Sequence, residues 1–352
     1  MKKLSIYFAF FFLILVLFEL LNGFWLKPQL EKNLLNLNIL YDIDIQINPN
    51  DYYPNNYNIS YSRDSYGLRT NCQNINDINL VSIGGSTTEQ KYIDFKDTFS
   101  YILQEKLSKN NEDNFCIANA GVDGHNSLGH INSLKNWFPL IPSFSPRYYL
   151  LNIGINDASN VRVSSKNLTK KDSFFSYIKH HVISNSYLYS FIKKVRNIIG
   201  ISLDLHGATT HQKNILIDFE YTAVSNSIEF EDDIIKNSEI FGEHLKEIIK
   251  IIKSRAGTPI CITQEALFTR DDKAIKNAFP YKNTYLNGFD LELSLNLINK
   301  QIQTICSNEN AIIISIEDGY FDESDFYDFV HHNPQGSAKL ADLIYNEIKF
   351  QF

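Results

Sequence analysis

The sequence predicts an α/β fold: a three-layer α/β/α sandwich around a five-stranded parallel sheet, preceded by an N-terminal transmembrane helix. Three observations predict it. Short apolar runs alternate with amphipathic stretches from about residue 78 to the C-terminus. Polar motifs stand directly after the apolar runs, at the strand carboxyl ends, which is where open parallel sheets bind ligands. A separate, longer apolar run occupies the first residues.

That first run spans residues 4–26 and is broken mainly by Glu19 and Asn22. At about 1.5 Å per residue it is long enough to cross a hydrocarbon core of roughly 30 Å. No small-x-small cleavage site follows it, so residues 1–27 read as an uncleaved signal anchor. Trp25 and Lys27 suit the far interface. Lys2 and Lys3 favour a cytoplasmic N-terminus, which puts the remainder on the extracytoplasmic (periplasmic or cell-surface) side. Glu19 would be costly at mid-membrane, but it lies toward the outer end, where a partner helix can meet it. Residues 28–77 are rich in Asn, Asp and Tyr. They read as a membrane-proximal stalk that becomes ordered near residues 62–69.

The main domain, 78–352, follows. Strands are expected at 79–83, 115–118, 148–153, 258–263 and 311–316, and helices at 98–107, 130–138, 241–253, 291–305 and 334–348. Apolar strands separated by helices imply a parallel sheet covered on both faces. Residues from about 158 to 235 break this rhythm. They read as an insertion with helices of its own around 174–199, placed to act as a lid or substrate wall.

Composition narrows the function. The chain has 352 residues, 44% of them hydrophobic, enough for a large core. Its formal net charge of -7 argues against a nucleic-acid partner, which would need a basic stripe. Cys72, Cys116, Cys261 and Cys306 match no zinc-site spacing. Cys116 and Cys261 lie in expected strands and read as buried free thiols, while a bridge between Cys72 and Cys306 stays open. No motif calls for a metal or a cofactor.

Four motifs carry chemistry. In Gly84-Gly85-Ser86-Thr87-Thr88, a serine follows a strand and two glycines. A nucleophile needs such an exposed turn, with a nearby N–H for an oxyanion. The alternative is a Gly-rich turn at a helix start that binds an anion. In Asp328-Phe329-Val330-His331-His332-Asn333-Pro334, a carboxylate precedes a histidine by three residues and can orient its imidazole. Asn333 and Pro334 suit the N-cap and first position of a helix. The alternative is a set of solvated polar residues or half a metal site. Gly154-Ile155-Asn156-Asp157 ends a strand. Its Asn156 amide can donate to an oxyanion and Asp157 can brace the loop, unless the motif is only an Asx turn. Asn119-Ala120-Gly121-Val122-Asp123-Gly124 supplies a glycine turn. His332 reads as packing or lining a pocket, and His125 as a polar loop residue that could contact substrate.

In that order the four blocks resemble the SGNH hydrolase (GDSL-like lipase/esterase) family, over roughly residues 78–350 apart from the insertion. Gly85 stands where that family often has Asp. Ser65-Tyr66-Gly67-Leu68-Arg69 also resembles a stretch preceding the first block in membrane-tethered members. The resemblance implies a flavodoxin-like sheet order. It also implies a catalytic triad of Ser86 as nucleophile, His331 as general base and Asp328 as its orienter. The oxyanion hole would be the N–H groups of Ser86 and Gly124 and the side-chain amide of Asn156, with Gly85, Gly154 and Asp157 in support. The expected activity is a serine esterase removing an acyl group, acetyl foremost, from a glycan or related surface molecule. An O-acyltransferase with the same triad and a catalytically silent polysaccharide-binding module are the alternatives. The sequence names no partner in polysaccharide assembly.

Overall fold

A computed structural model of the chain describes residues 2–23, 25, 29–47, 57–110, 115–161, 185–202, 221–222, 228–270, 273–275 and 286–351. The N-terminal apolar run forms helix α1 (Lys2–Asn22). Phe10, Phe11, Phe12 and Leu21 on it are exposed to more than half their area. Side chains at positions 2–5, 8 and 9 lie outside the description. Among the described residues no helix is long and apolar enough to cross a membrane.

A short helix α2 (Leu30–Asn36) and an antiparallel pair, β1 (Ile43–Ile47) and β2 (Ile59–Arg63), come next. These lie in the stretch read as a stalk, yet they are packed. Leu34 and Leu35 join the main core. Ile43, Ile47, Ile59 and Tyr61 form a small core with Tyr92 and Tyr327. The alternation of Ile and polar residues in β1 and β2 turns one face inward, as a period-2 pattern requires.

The central sheet is the expected one. Its strands are β3 (Ile78–Gly84), β4 (Cys116–Asn119), β5 (Tyr148–Asn152), β7 (Thr258–Ile262) and β10 (Ile312–Ile314). All neighbours pair in parallel, in the order β10-β7-β5-β3-β4. Taking the five in chain order, this is 2-1-3-4-5, the flavodoxin-like order, with its switch point between β3 and β5. Side chains alternate between two cores. Leu80, Leu150, Ile260 and Ile262 enter one. Val81, Ile83, Tyr149, Leu151 and Cys261 enter the other. Helices α4 (Phe99–Asn110) and α10 (Pro334–Ile348) cover the first face. Helices α5 (Ser127–Asn136), α8 (Glu231–Ser254) and α9 (Gly288–Asn308) cover the second. Short helices α3 (Ser86–Glu89) and α6 (Ile155–Ser159) follow β3 and β5.

The reading of the cysteines needs amendment. The cysteines pair as Cys72–Cys116 and Cys261–Cys306, so Cys116 and Cys261 are not free thiols and no bridge joins Cys72 to Cys306. Each bridge ties a sheet strand to a neighbour remote in sequence, a proximity that spacing alone does not reveal. The interval 158–235 holds helix α7 (Tyr187–Ser202), strand β6 (Tyr221–Thr222) and the start of α8. Strand β6 joins a small antiparallel sheet with β8 (Thr269–Arg270) and β9 (Lys273–Ile275). The part of the expected helical stretch at 174–184 lies outside the described residues.

Candidate active site

Strand β3 ends at Gly84, and the chain turns at once into α3, with Gly85 as its N-cap and Ser86 as its first residue. Ser86 therefore stands at the carboxyl edge of the sheet, at the switch point. Its Oγ lies 2.7 Å from His331 Nε2. The other ring nitrogen, His331 Nδ1, lies 2.6 Å from Asp328 Oδ2. The remaining carboxylate oxygen, Asp328 Oδ1, accepts backbone N–H bonds from Val330 at 2.9 Å and His331 at 2.7 Å. Asp328 and His331 are buried, 2% and 7% exposed, and Ser86 is half-buried. The Tyr327 ring stacks on the imidazole with centroids 5.5 Å apart.

The loop carrying this pair is closed by its own backbone. Tyr327 N donates to His331 O, and Asn333 N donates to Asp325 O. Asn333 caps α10 by accepting from Gly336 N, with Pro334 in its first turn. A carboxylate on Nδ1 fixes the tautomer that leaves Nε2 able to accept a proton from the serine hydroxyl. Such an arrangement can activate Ser86 as a nucleophile.

His332, next in sequence, does something else. Its ring lies 4.4 Å from Phe321 and 4.7 Å from Phe326, centroid to centroid. Neither ring nitrogen has a hydrogen-bond partner among the described residues. Burial pushes its pKa down to about 3. The residue as a whole keeps some surface, but its nitrogens are out of water. It packs; it does not reach the serine.

Opposite the histidine stand the loops after β4 and β5. Asn156 Nδ2 donates to His125 O at 2.9 Å, joining the two loops. A Cβ built on Gly85 would lie 2.3 Å from that Nδ2, so Asn156 fills the space a side chain at position 85 would take. The departure at Gly85 is thus matched by where Asn156 sits. The Asn156 amide has a second N–H to offer a ligand. Gly124 and Gly154 adopt positive φ, +73° and +122°, a region other residues rarely enter. Val122 N bonds Gly84 O, tying the Gly124 loop to the Ser86 turn. His125 Nε2 lies 2.7 Å from Leu37 O.

Asp157 braces α5. Both its oxygens accept from Ser127 N, at 3.1 and 2.9 Å, and its Oδ1 accepts from Ser127 Oγ. Burial pushes its carboxyl up to about 6, against the pull of those bonds.

Several supports were not foreseen. Gln264 Oε1 accepts from Ile155 N at 2.9 Å, and Gln264 Nε2 donates to Asn152 Oδ1 at 2.7 Å. Glu89, in the short helix that Ser86 begins, is buried. Its Oε2 accepts from Asp123 N at 2.9 Å, next to Gly124. Its Oε1 meets Arg63 Nη2 at 3.0 Å and accepts from Tyr61 OH at 2.5 Å. Arg63 also donates to the Gly67 and Gly121 carbonyls. Burial pushes the Glu89 carboxyl up, but Arg63, Tyr61 and Lys91 together hold it below the usual range. Arg69 is 1% exposed and binds the Glu89, Gln90 and Ile93 carbonyls. Burial pushes its guanidinium down to about 10. Arg63 and Arg69 frame the 62–69 stretch that the sequence marked as ordered, which was the signal available. Among the described residues no group of side chains is suited to hold a metal ion.

No family model matches the chain, and no curated protein matches it. It is similar to several solved structures. One is a lipase/acylhydrolase from Enterococcus faecalis, at 14% identity and a TM-score of 0.43, covering 78% of this chain and 97% of that one. Another is a member of the lipolytic protein G-D-S-L family from Veillonella parvula, at 14% identity and 0.41, covering 76% and 96%. A third is an acetylxylan esterase from Geobacillus stearothermophilus, at 11% identity and 0.43, covering 76% and 93%.

Proposed function

We propose that this protein is an SGNH-type serine esterase that removes an acyl group, acetyl foremost, from a glycan or related cell-surface molecule. The observation that carries the reading is the Ser86–His331–Asp328 chain, with links of 2.7 and 2.6 Å. Ser86 Oγ attacks the ester carbonyl carbon while His331 Nε2 takes its proton. Asp328 steadies the imidazolium. The N–H groups of Ser86 and Gly124 and the Asn156 amide receive the charge that develops on the carbonyl oxygen. The alcohol leaves with the proton from His331, and water then releases the acid from Ser86. The acetylxylan esterase among the similar structures acts on such an ester, which makes acetylated glycans the first substrates to try.

The same reading places α1 in a membrane and the remainder outside the cytoplasm. The apolar run of residues 4–26 and the exposure of its described side chains support the anchor. The two disulfides support an oxidising compartment. Carbonate extraction of membranes, and protease added to sealed vesicles of either orientation, test both.

Hydrolysis of p-nitrophenyl acetate by the full chain in mild detergent, beside Ser86→Ala, tests the chemistry. Turnover lost in the variant supports the esterase. A folded wild type without turnover moves the reading to O-acyl transfer onto a sugar hydroxyl, or to a binding module.

A further inference from the structure

Helix α7 exposes an apolar stripe. Leu188, Phe191, Ile192 and Val195 recur at the spacing of one helical face. That face should be buried in a globular protein, yet these residues are 45%, 54%, 55% and 37% exposed. Lys193, on another side of the helix, turns inward. Lys193 Nζ donates to Leu35 O at 2.5 Å, at the end of α2. Just before the helix, Asn185 Oδ1 accepts from Lys32 Nζ at 2.5 Å. The helix sequence carries Lys193, Lys194 and Arg196 and no acidic residue.

Its N-terminus is held by α1. Glu19 Oε1 accepts from Ser186 Oγ at 2.9 Å and Leu188 N at 2.8 Å, and Oε2 accepts from Tyr187 N at 2.9 Å. Phe18 meets Tyr187 edge to face at 5.8 Å. The one carboxylate within α1 is thus spent on the unpaired N–H groups that begin every helix. The contact lies in the last turns of α1, so the N-terminal end of α7 adjoins a helix whose apolar side chains are exposed.

We propose that α7 is an in-plane membrane helix, seated by its Leu188–Phe191–Ile192–Val195 face in the same bilayer that α1 enters, on a leaflet with anionic lipids. The proposal rests on α1 being a membrane anchor. An amphipathic helix with a basic polar side lies in the headgroup region with its apolar face toward the acyl chains. A soluble chain seldom leaves an apolar stripe of this kind exposed. Two attachments, one crossing and one lying flat, fix the tilt of the sheet edge that carries Ser86 relative to the membrane, as a single flexible anchor would not. Glu19 is the joint between them.

The test uses the full chain in sealed liposomes of phosphatidylcholine, with and without phosphatidylglycerol. All four native cysteines are in disulfides, so an introduced cysteine is the single free thiol. A nitroxide is placed at Phe191→Cys on α7, at Phe11→Cys on α1, and at exposed Glu347→Cys on α10 as the aqueous reference. Collision with dissolved oxygen, which concentrates in lipid, is compared with collision with a water-soluble nickel chelate. The expected result is an oxygen-to-nickel ratio at Phe191 severalfold above that at Glu347 and approaching that at Phe11, and higher again with phosphatidylglycerol. A Phe191 ratio equal to Glu347, with Phe11 still in lipid, overturns the proposal and leaves the anchor standing. A Phe191 label shielded from both quenchers overturns it in favour of a protein partner. A water-accessible Phe11 overturns the anchor itself. Equal ratios in the two lipid mixtures overturn the anionic-lipid part.

Discussion

The two flanks of Ser86 are built by opposite strategies. On one side, Asp328 and His331 lie three residues apart in a loop that closes on its own backbone. On the other, the Gly124 loop rests on Glu89, which is neutralised by Arg63 from β2, about sixty residues earlier in the chain. The first flank is a local device: change one atom and the damage is chemical. The second is a buried ionic joint between the β1–β2 pair and the domain: change one partner and the damage is to folding. The difference teaches that catalytic geometry can be local while its rigidity is borrowed from distant sequence.

The largest effect should come from the local flank. Asp328→Asn keeps the shape but lets the imidazole hold the wrong tautomer, and the expected loss in kcat is about 10⁴-fold. Chemical denaturation should find its stability close to wild type. Full activity in this variant would remove Asp328 from its role. The distant flank should answer in the other currency. Arg63→Met leaves the Glu89 carboxylate buried without its counter-ion, which costs about 3–5 kcal/mol. Adding Glu89→Gln should return much of that loss, because the uncompensated charge is gone. If the double variant is no more stable than the single one, the joint is held by packing and not by charge.

Asn156→Ala sits between the two regimes, since its amide both bridges to His125 O and stands beside Gly85. If Asn156 is an oxyanion donor, as proposed, its loss should lower kcat by about 10²–10³-fold with little change in KM. A KM defect alone would mean that Asn156 orients the ground-state substrate and does not stabilise charge.

The same contrast explains what the sequence disclosed. All five parallel strands are legible because each is a β-branched or apolar run ending in a polar motif, and their edges agree to within about two residues. The Asp328–His331 pair is legible because its spacing is short, and Asn333 and Pro334 mark the helix start. Glu89 is not legible, because a glutamate in a four-residue helix looks like a solvated one until Arg63 and Tyr61 are placed against it. The cysteine pairs are hidden for the same reason, since pairing needs the strand order. The 28–77 stretch reads as loose because its apolar residues are spread among Asn and Asp, yet Ile43, Ile59 and Tyr61 close a core of their own with Tyr92 and Tyr327.

The smallest effect separates two neighbours, His331 and His332. His332 is kept neutral between Phe321 and Phe326, with its pKa pushed from 6.5 down to about 3 by burial. Between those two values the unfolded chain binds a proton on His332 that the folded chain refuses. Stability therefore rises with pH across that window, and it falls as the solution is acidified from 6.5 toward 3. The share traceable to this one residue is at most about 5 kcal/mol. His332→Phe keeps a ring in the aromatic slot and removes the titration. Near neutral pH the variant should stay within about 1.5 kcal/mol of wild type. Its denaturation free energy should then fall less steeply on acidification, by one proton's worth of slope. The slope should not vanish, because His130 is also buried and held well below its ordinary pKa. An unchanged acid slope in His332→Phe would mean that water reaches the His332 nitrogens, and that the residue belongs to the site's solvent-facing wall and not to its packing.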